Sequence, residues 1–148
     1  MATILTKPFG TVELDERQRI RFPFGVLGFE SLHDYALLDA EQAPFYWLQS
    51  LEVVEIAFVL IDPRVFRPDY SLSVAPEDLA EIGILKPEDA LVFAIVTVPD
   101  DPRGTTANLQ GPLIINKETR TGRQSISGDP RWQVRHPILA ELAQVREK

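Results

Sequence analysis

The chain has 148 residues and a net charge of −7, and its composition excludes several classes of protein. The length predicts one domain, residues 1–148, that is large enough to bury a core. No stretch approaches ~20 apolar residues, so we expect no membrane-spanning helix. Without cysteine, and with two histidines, the chain cannot form a disulfide framework or a thiolate or multi-histidine metal site. The N-terminus lacks the apolar region of a secretory signal, which predicts a cytoplasmic protein.

The charge is unevenly distributed along the chain. Residues 1–100 carry a net charge of −10, and residues 101–148 carry a net charge of +3. No lysine or arginine occurs between Arg21 and Arg64, whereas seven carboxylates do: Glu30, Asp34, Asp39, Glu41, Glu52, Glu55 and Asp62. Such a field attracts basic partners and repels phosphate. Composition alone favours a solvated acidic face for this stretch.

The N-terminal region reads as short strands. Residues 3–6 are typical of a first strand. Residues 10–14 and 18–22 alternate apolar and polar side chains around Asp15-Glu16-Arg17. This pattern predicts a hairpin with one solvated face.

The segment Phe22–Glu30 is predicted to be an ordered, aromatic-rich loop. It contains a proline and two glycines, Gly25 and Gly28, which allow a positive φ. No Lys-Ser or Lys-Thr pair follows the glycines, so the segment is not a phosphate-binding loop. We expect a packed turn that is anchored by Phe22 and Phe29.

Two adjacent segments are predicted to form the centre of the sheet. Pro44–Ser50 is aromatic and branched, and Ile56–Pro63 is a continuous apolar run that ends in Asp-Pro. The short link between them predicts antiparallel neighbours, because parallel strands need a long crossover. Trp47 is expected to fill the core, and Tyr35–Leu38 should form another strand.

The remaining elements are short. Further strands are predicted over residues 70–74, 90–98, 113–116 and 123–127, after which Gly128-Asp129-Pro130 should end the β region. Helices are predicted over residues 76–83 and 137–146, with one helical turn at 63–66. About nine short strands with frequent turns predict a mainly β fold, either a small antiparallel barrel or a sandwich.

Few residues suggest chemistry. No serine or histidine lies in the context of a catalytic nucleophile. Asn108 and Asn116 lie in apolar surroundings, where an unpaired amide costs about 1–3 kcal/mol. We expect both to bond loop backbone rather than a ligand. Trp132 lies in a basic, turn-rich segment and is predicted to be an exposed contact residue.

Six motifs, in this order, resemble the flagellar assembly factor FliW family. They cover the chain from about Thr11 to Gln124, and none of them is specific by itself. They are Phe22-Pro23-x-Gly25-x-x-Gly28-Phe29-Glu30; Pro44-Phe45-x-Trp47-Leu48-Gln49-Ser50; Ala57-Phe58; Asp62-Pro63-x-x-Phe66-x-x-Asp69-Tyr70; Thr106-Ala107-Asn108-Leu109-x-x-Pro112 with Asn116; and Gly122-x-Gln124.

The resemblance implies a β-barrel-like, non-enzymatic regulator that needs no metal or cofactor. Members of this family are described as having two mutually exclusive protein partners. One is the C-terminal segment of flagellin, and the other is the RNA-binding translational repressor CsrA. Free FliW antagonises CsrA, away from the surface that holds RNA, and so relieves repression of flagellin translation.

The acidic stretch fits a basic partner such as CsrA. We expect Glu30, Asp34, Glu52 and Glu55 to contribute to the CsrA-facing surface, where charge would chiefly raise the on-rate. Exposed members of a second set would supply apolar anchors: Phe24, Val26, Leu27 and Phe66. The basic segment from Arg120 to Arg135 lies apart and is a candidate for contact with the CsrA–RNA complex.

Two other classes of protein stay open from the residues alone. A single-stranded nucleic-acid-binding barrel would need a basic stripe interleaved with aromatic residues, of which only Arg131-Trp132 gives a hint. A small hydrolase would need a pocket with convergent titratable groups, and the sequence marks none. We expect no direct binding to nucleic acid or to a membrane.

Overall fold

The computed structural model describes residues 2–146, and most of its regular structure is β-sheet. The strands among these residues are β1 (Ala2–Thr6), β2 (Gly10–Leu14), β3 (Arg19–Arg21), β4 (Asp34–Asp39), β5 (Phe45–Ser50), β6 (Ala57–Ile61), β7 (Ala90–Thr97), β8 (Thr106–Asn116), β9 (Gly122–Gln124) and β10 (His136–Pro137). The α-helices are α1 (Pro76–Glu81) and α2 (Ile138–Arg146). The predicted helical turn is present at Pro63–Val65.

The main sheet is an antiparallel ribbon that curls into a barrel. Its strand order is β10-β8-β7-β6-β5-β4-β3, and β9 pairs with β8. The pair predicted to be central, β5 and β6, is antiparallel, with Phe45 opposite Ile61. At the open edge the Arg21 amide donates to the carbonyl of Arg120 at 2.9 Å, and Arg21 forms a parallel bridge with Thr121. The sheet is therefore almost closed, which confirms a barrel-like fold.

The barrel interior is filled by the inward side chains of alternating strand positions. Leu48, Leu60 and Leu113 are fully buried there, together with Phe22 and Tyr35. Burial of one such side chain contributes roughly 1.5–3 kcal/mol. These side chains form one of the two larger clusters of the hydrophobic core.

The predicted hairpin of residues 10–14 with residues 18–22 is wrong. β2 pairs with β1, from Thr6 opposite Gly10 to Ala2 opposite Leu14, whereas β3 pairs with β4. A 3-10 turn separates β2 from β3, and the Asp15 side chain caps this turn by accepting from the Arg17 amide. The β1–β2 hairpin packs on the outside of the barrel, where Leu14 meets Ala36 and Leu38.

A buried glutamine ties this outer hairpin to the barrel. Gln49 is fully buried, and its Oε1 accepts from the Lys7 amide at 2.8 Å. Its Nε2 donates to the carbonyls of Ser50, Val54 and Ile56, the last at 3.3 Å. One amide therefore fixes both the β1–β2 turn and the β5–β6 turn.

The predicted strand over residues 70–74 is also wrong. Its alternation reflects the packing of an extended loop across one end of the barrel. The Tyr70 hydroxyl donates to the Leu109 carbonyl at 3.0 Å, and the Ser73 carbonyl accepts from the Gly128 amide at 2.7 Å. These contacts replace a strand partner.

The C-terminal part differs from the prediction mainly in its strand lengths. β8 begins seven residues earlier than expected, at Thr106 rather than Leu113, and a shift in register near Phe93 lets it follow β7. The β region continues past residue 130, because His136–Pro137 pairs with β8. The predicted C-terminal helix is confirmed as α2.

Candidate partner-binding surfaces

Two of the predicted acidic residues, Glu52 and Asp34, meet where the carboxylate of Glu52 reaches the start of β4. Its Oε2 accepts from the amides of His33 at 2.6 Å and Asp34 at 3.1 Å. This contact follows from the register, because β4 begins at Asp34 beside the end of β5, where Tyr35 lies opposite Ser50. The hydrogen bonds from the Asp34 and His33 amides lower the pKa of Glu52. Glu52 is therefore a fixed negative charge at neutral pH.

The other acidic residues extend this charge. Asp34 Oδ1 lies 3.2 Å from Arg21 Nη1, in an exposed pair that contributes little to stability. The Glu30 carbonyl lies 3.0 Å from His33 Nε2, and the His33 amide donates to Glu52, so the loop that carries Glu30 lies beside Glu52. Glu55 is exposed in the β5–β6 turn that also carries Glu52. We call Glu30, Asp34, Glu52 and Glu55 the acidic surface.

The loop from Phe22 to His33 supports the acidic surface. The Phe22 amide donates to the His33 carbonyl at 2.7 Å and closes the stem. Gly25 and Gly28 have φ values of +70° and +90°, as the sequence suggested. A Cβ at Gly25 would lie 2.7 Å from the Glu30 carbonyl oxygen, so the loop requires glycine at this position.

Of the predicted apolar anchors, only Phe24 and Leu27 are accessible. Their exposed fractions are 54% and 61%. The Phe24 ring lies 5.1 Å from the guanidinium of Arg123, and the Leu27 amide donates to Gln124 Oε1 at 2.9 Å. The two side chains are thus held in place while they remain exposed to solvent.

The other two candidate anchors, Val26 and Phe66, are buried and cannot serve as anchors. Val26 is 1% exposed, because it turns into the barrel interior. Phe66 is fully buried in a second core beneath α2. Both follow turn residues, and sequence alternation gave no sign of which way either side chain points.

The remaining structural residues make local contacts. Asn108 Oδ1 accepts from the amides of Gln110 and Gly111. Asn116 Nδ2 donates to the Ile82 carbonyl at 2.9 Å, while its Oδ1 accepts from the next turn of the chain. Trp47 is half-buried on the outer face of β5, against the β1–β2 hairpin.

The prediction that Trp132 is exposed is wrong. Its exposed fraction is 1%, and its ring lies 4.8 Å from that of Tyr70. The guanidinium groups of Arg67 and Arg131 lie 4.7 and 4.8 Å from the ring, so flanking charges cover it. Arg131, its neighbour in the sequence, therefore covers a buried Trp132 rather than flanking an exposed one.

Two of the four arginines in the basic segment are paired with nearby carboxylates. Arg123 pairs with Asp78 and Glu81. Arg131 pairs with Asp129 at 2.8 Å. Two of the arginines expected to face phosphate are therefore already occupied.

The sequence did not reveal an apolar groove on the outside of the barrel. Its volume is about 710 Å³, and Glu41 is the one charged residue among the described residues that line it. Val98 and Leu139 lie on its wall with exposed fractions of 56% and 51%. The other apolar or aromatic residues of the groove are Pro8, Phe9, Ala40, Phe45, Trp47, Val59, Pro102 and Ile138. These side chains come from five separate parts of the chain, so no local pattern marks the groove.

Residues 2–146 contain neither a cluster of metal ligands nor a helix suited to cross a membrane. No three histidine, aspartate or glutamate side chains within residues 2–146 are grouped so that they could hold a metal ion. Among the same residues, neither helix has the length and apolar character required to cross a membrane. The acidic surface and the apolar groove are therefore the strongest candidates for binding.

Comparisons with known proteins agree on one family. The family model for the FliW protein matches residues 3–138. The flagellar assembly factor FliW of Treponema denticola is 49% identical over 94% of this chain and 95% of its own length. Its counterpart from Treponema pallidum is 46% identical over 97% and 95%. A crystal structure of the flagellar assembly factor FliW superposes with a TM-score of 0.85 at 34% identity, covering 93% of this chain and 96% of that one.

Proposed function

The chain belongs to the FliW family of flagellar assembly factors, and from that membership we propose a regulatory, non-enzymatic role in the cytoplasm. In this role it binds either CsrA or the C-terminal segment of flagellin. CsrA held by this protein would not repress flagellin translation, and accumulated flagellin would release it. The observation that carries the proposal is the presence of two surfaces of unlike chemistry on one small barrel.

The acidic surface is proposed to meet CsrA. One of its charges, that of Glu52, is held in place because the carboxylate accepts hydrogen bonds from two backbone amides. A basic RNA-binding protein would be attracted to such a field, and Phe24 and Leu27 would add apolar contact. The basic segment is not assigned to RNA, because Arg123 and Arg131 already have carboxylate partners.

The test is calorimetric titration with CsrA from the same organism. Glu30→Lys combined with Glu55→Lys should lower the affinity about tenfold or more, with a smaller loss at high salt. Glu52 should be changed only to Gln, because Lys would also remove the acceptor for two amides. The matched control is Glu88→Lys, an exposed carboxylate outside the acidic surface. An equal loss in the control, or none in the double variant, contradicts the assignment.

The apolar groove is proposed to hold the flagellin segment. A helix with one apolar face needs a long apolar channel, and this groove offers about 710 Å³ with one charged residue, Glu41. Val98 and Leu139 are exposed on its wall, where an apolar partner would cover them.

The corresponding experiment uses flagellin in place of CsrA. Val98→Glu and Leu139→Glu should each weaken flagellin binding about tenfold, since a charge would be buried against an apolar face. Leu85→Glu is the control, because Leu85 is 88% exposed and lies outside the groove. If the control variant loses as much affinity, the groove is not the binding site.

A further inference from the structure

Arg120 has a backbone conformation that is unfavourable for arginine. Within residues 2–146 it is the one residue other than glycine with a positive φ, at 61°. The left-handed region is taken readily by glycine and tolerated by asparagine, whereas other residues with a Cβ avoid it. Asn116 already fixes this turn, because its carbonyl accepts from the Arg120 amide and its side chain accepts from Glu118 and Thr119. The backbone therefore does not need an arginine here.

The side chain of Arg120 is partly buried and has no partner. Its Nε is inaccessible to solvent and makes no hydrogen bond within the described residues, and no described carboxylate lies within 4.0 Å of its guanidinium group. By contrast, the nearby Arg19 and Arg21 pair with Glu16 and Asp34. A cation that is partly removed from water without an anion nearby is unfavourable, and an anionic partner would offset this cost.

Arg120 lies at one mouth of the barrel. It lines a cavity of about 480 Å³ together with Leu37 and Tyr46, which belong to the barrel interior. Arg17, which forms no ion pair among the described residues, brings a second guanidinium group to the same cavity. The other lining residues are Asp15, Gln18 and Asp39. Five polar side chains and two apolar or aromatic ones therefore line this cavity, and the mouths of β-barrels are common places for ligand sites.

We propose that this cavity binds a carboxylate that is carried next to an apolar side chain, as at the C-terminal end of a peptide. The guanidinium of Arg120 would receive the carboxylate, and Leu37 and Tyr46 would receive the apolar group. Asp15 and Asp39 lie in the same cavity, and they disfavour a dianion such as phosphate more than a monoanion. This site goes beyond the proposed function and does not depend on either partner named there.

Nuclear magnetic resonance on the full, ¹⁵N-labelled chain tests the site directly. The probe is N-acetyl-leucine, and its neutral counterpart is N-acetyl-leucinamide. The acid should shift the Nε–H signal of Arg120 and the amides of Leu37 and Tyr46 in a saturable way. The amide should leave these signals in place, because it lacks the charge that the guanidinium binds. Inorganic phosphate should act more weakly than the acid.

The decisive variant is Arg120→Gly. Glycine relieves the unfavourable φ, so the melting temperature should be unchanged or higher, while affinity for N-acetyl-leucine falls about tenfold or more. Arg120→Asn provides a second folded variant without the guanidinium, and Arg135→Ala is the control for removing an exposed arginine elsewhere. The proposal is overturned by equal shifts with acid and amide, by a stronger response to phosphate, by no saturable response to the acid, or by unchanged binding in Arg120→Gly.

Discussion

The acidic surface and the apolar groove are built in different ways. The acidic surface consists of one loop and one turn that are joined by backbone hydrogen bonds to Glu52. The groove is assembled by packing, from the β1–β2 turn, strands β5 and β6, the β7–β8 connection and the start of α2. The first is therefore specified by a few local contacts. The second depends on how distant elements dock against one another.

Gln49 is the point at which the two surfaces share a support. Its carbonyl oxygen holds the Lys7 amide, next to the groove residues Pro8 and Phe9. Its amide nitrogen holds the β5–β6 turn that carries Glu52 and Glu55. A change at Gln49 should perturb both surfaces. A change at a residue that supports only one surface should perturb that surface alone.

Replacing Gln49 is expected to give the largest effect. Gln49→Leu has similar volume but removes the fully buried amide that bonds the Lys7 amide and the Val54 carbonyl, both of them in part-buried contacts. The free energy of unfolding should fall by about 2–4 kcal/mol, as measured by urea denaturation. Hydrogen exchange should rise in both turns.

Gln110→Leu is the matched control, since the Gln110 side chain is exposed. It should change the free energy of unfolding by less than about 0.5 kcal/mol. If only the β5–β6 turn of Gln49→Leu exchanges faster, the glutamine does not connect the two surfaces.

The same contrast explains what the sequence could predict. The β5–β6 pair and the Gly25 loop follow from contiguous residues, and both were expected with nearly the right bounds. The sequence did not show which of the four candidate anchors are exposed, and Val26 and Phe66 each pack into a core formed by distant strands.

Tertiary contacts also overrode two local patterns. Trp132 has basic neighbours in sequence, yet Arg67 from a distant turn helps to bury it. Residues 70–74 alternate like a strand, but their hydrogen bonds go to separate places, the Leu109 carbonyl and the Gly128 amide, rather than to one partner strand. The groove has contributors from five places, and its existence depends on the docking of α2, which periodicity alone does not place.

A second, smaller effect should come from the anchor of α2. Glu141 Oε1 accepts from Arg67 Nη1 and lies 2.9 Å from His136 Nδ1. The Gln133 amide donates to His136 Nε2, so the hydrogen of the neutral ring is on Nδ1 and points to Glu141.

Glu141→Leu removes both contacts and should lower the free energy of unfolding by about 1–3 kcal/mol. Because Ile138 and Leu139 of the groove belong to the same helix, flagellin affinity should fall while CsrA affinity is retained. Glu141→Gln keeps an oxygen acceptor and should lose less. If Glu141→Leu weakened the binding of flagellin and of CsrA equally, α2 would support the acidic surface as well as the groove.

The smallest effect is a pH dependence that belongs to the acidic surface alone. The Asp34 and His33 amides hold the pKa of Glu52 below its ordinary value of 4.5. A carboxylate with a lowered folded-state pKa stabilises the fold above its unfolded pKa, and this contribution is lost as the pH falls through the folded value. The difference in urea midpoint between the native chain and Glu52→Gln should therefore be present at neutral pH and shrink below pH 4.5. Glu55→Gln, in the same turn, should change the urea midpoint at neutral pH less than Glu52→Gln does, because the Glu55 side chain is exposed and makes no hydrogen bond within residues 2–146. A difference for Glu52→Gln that stays constant with pH would mean that the amides recognise the shape of the side chain rather than its charge.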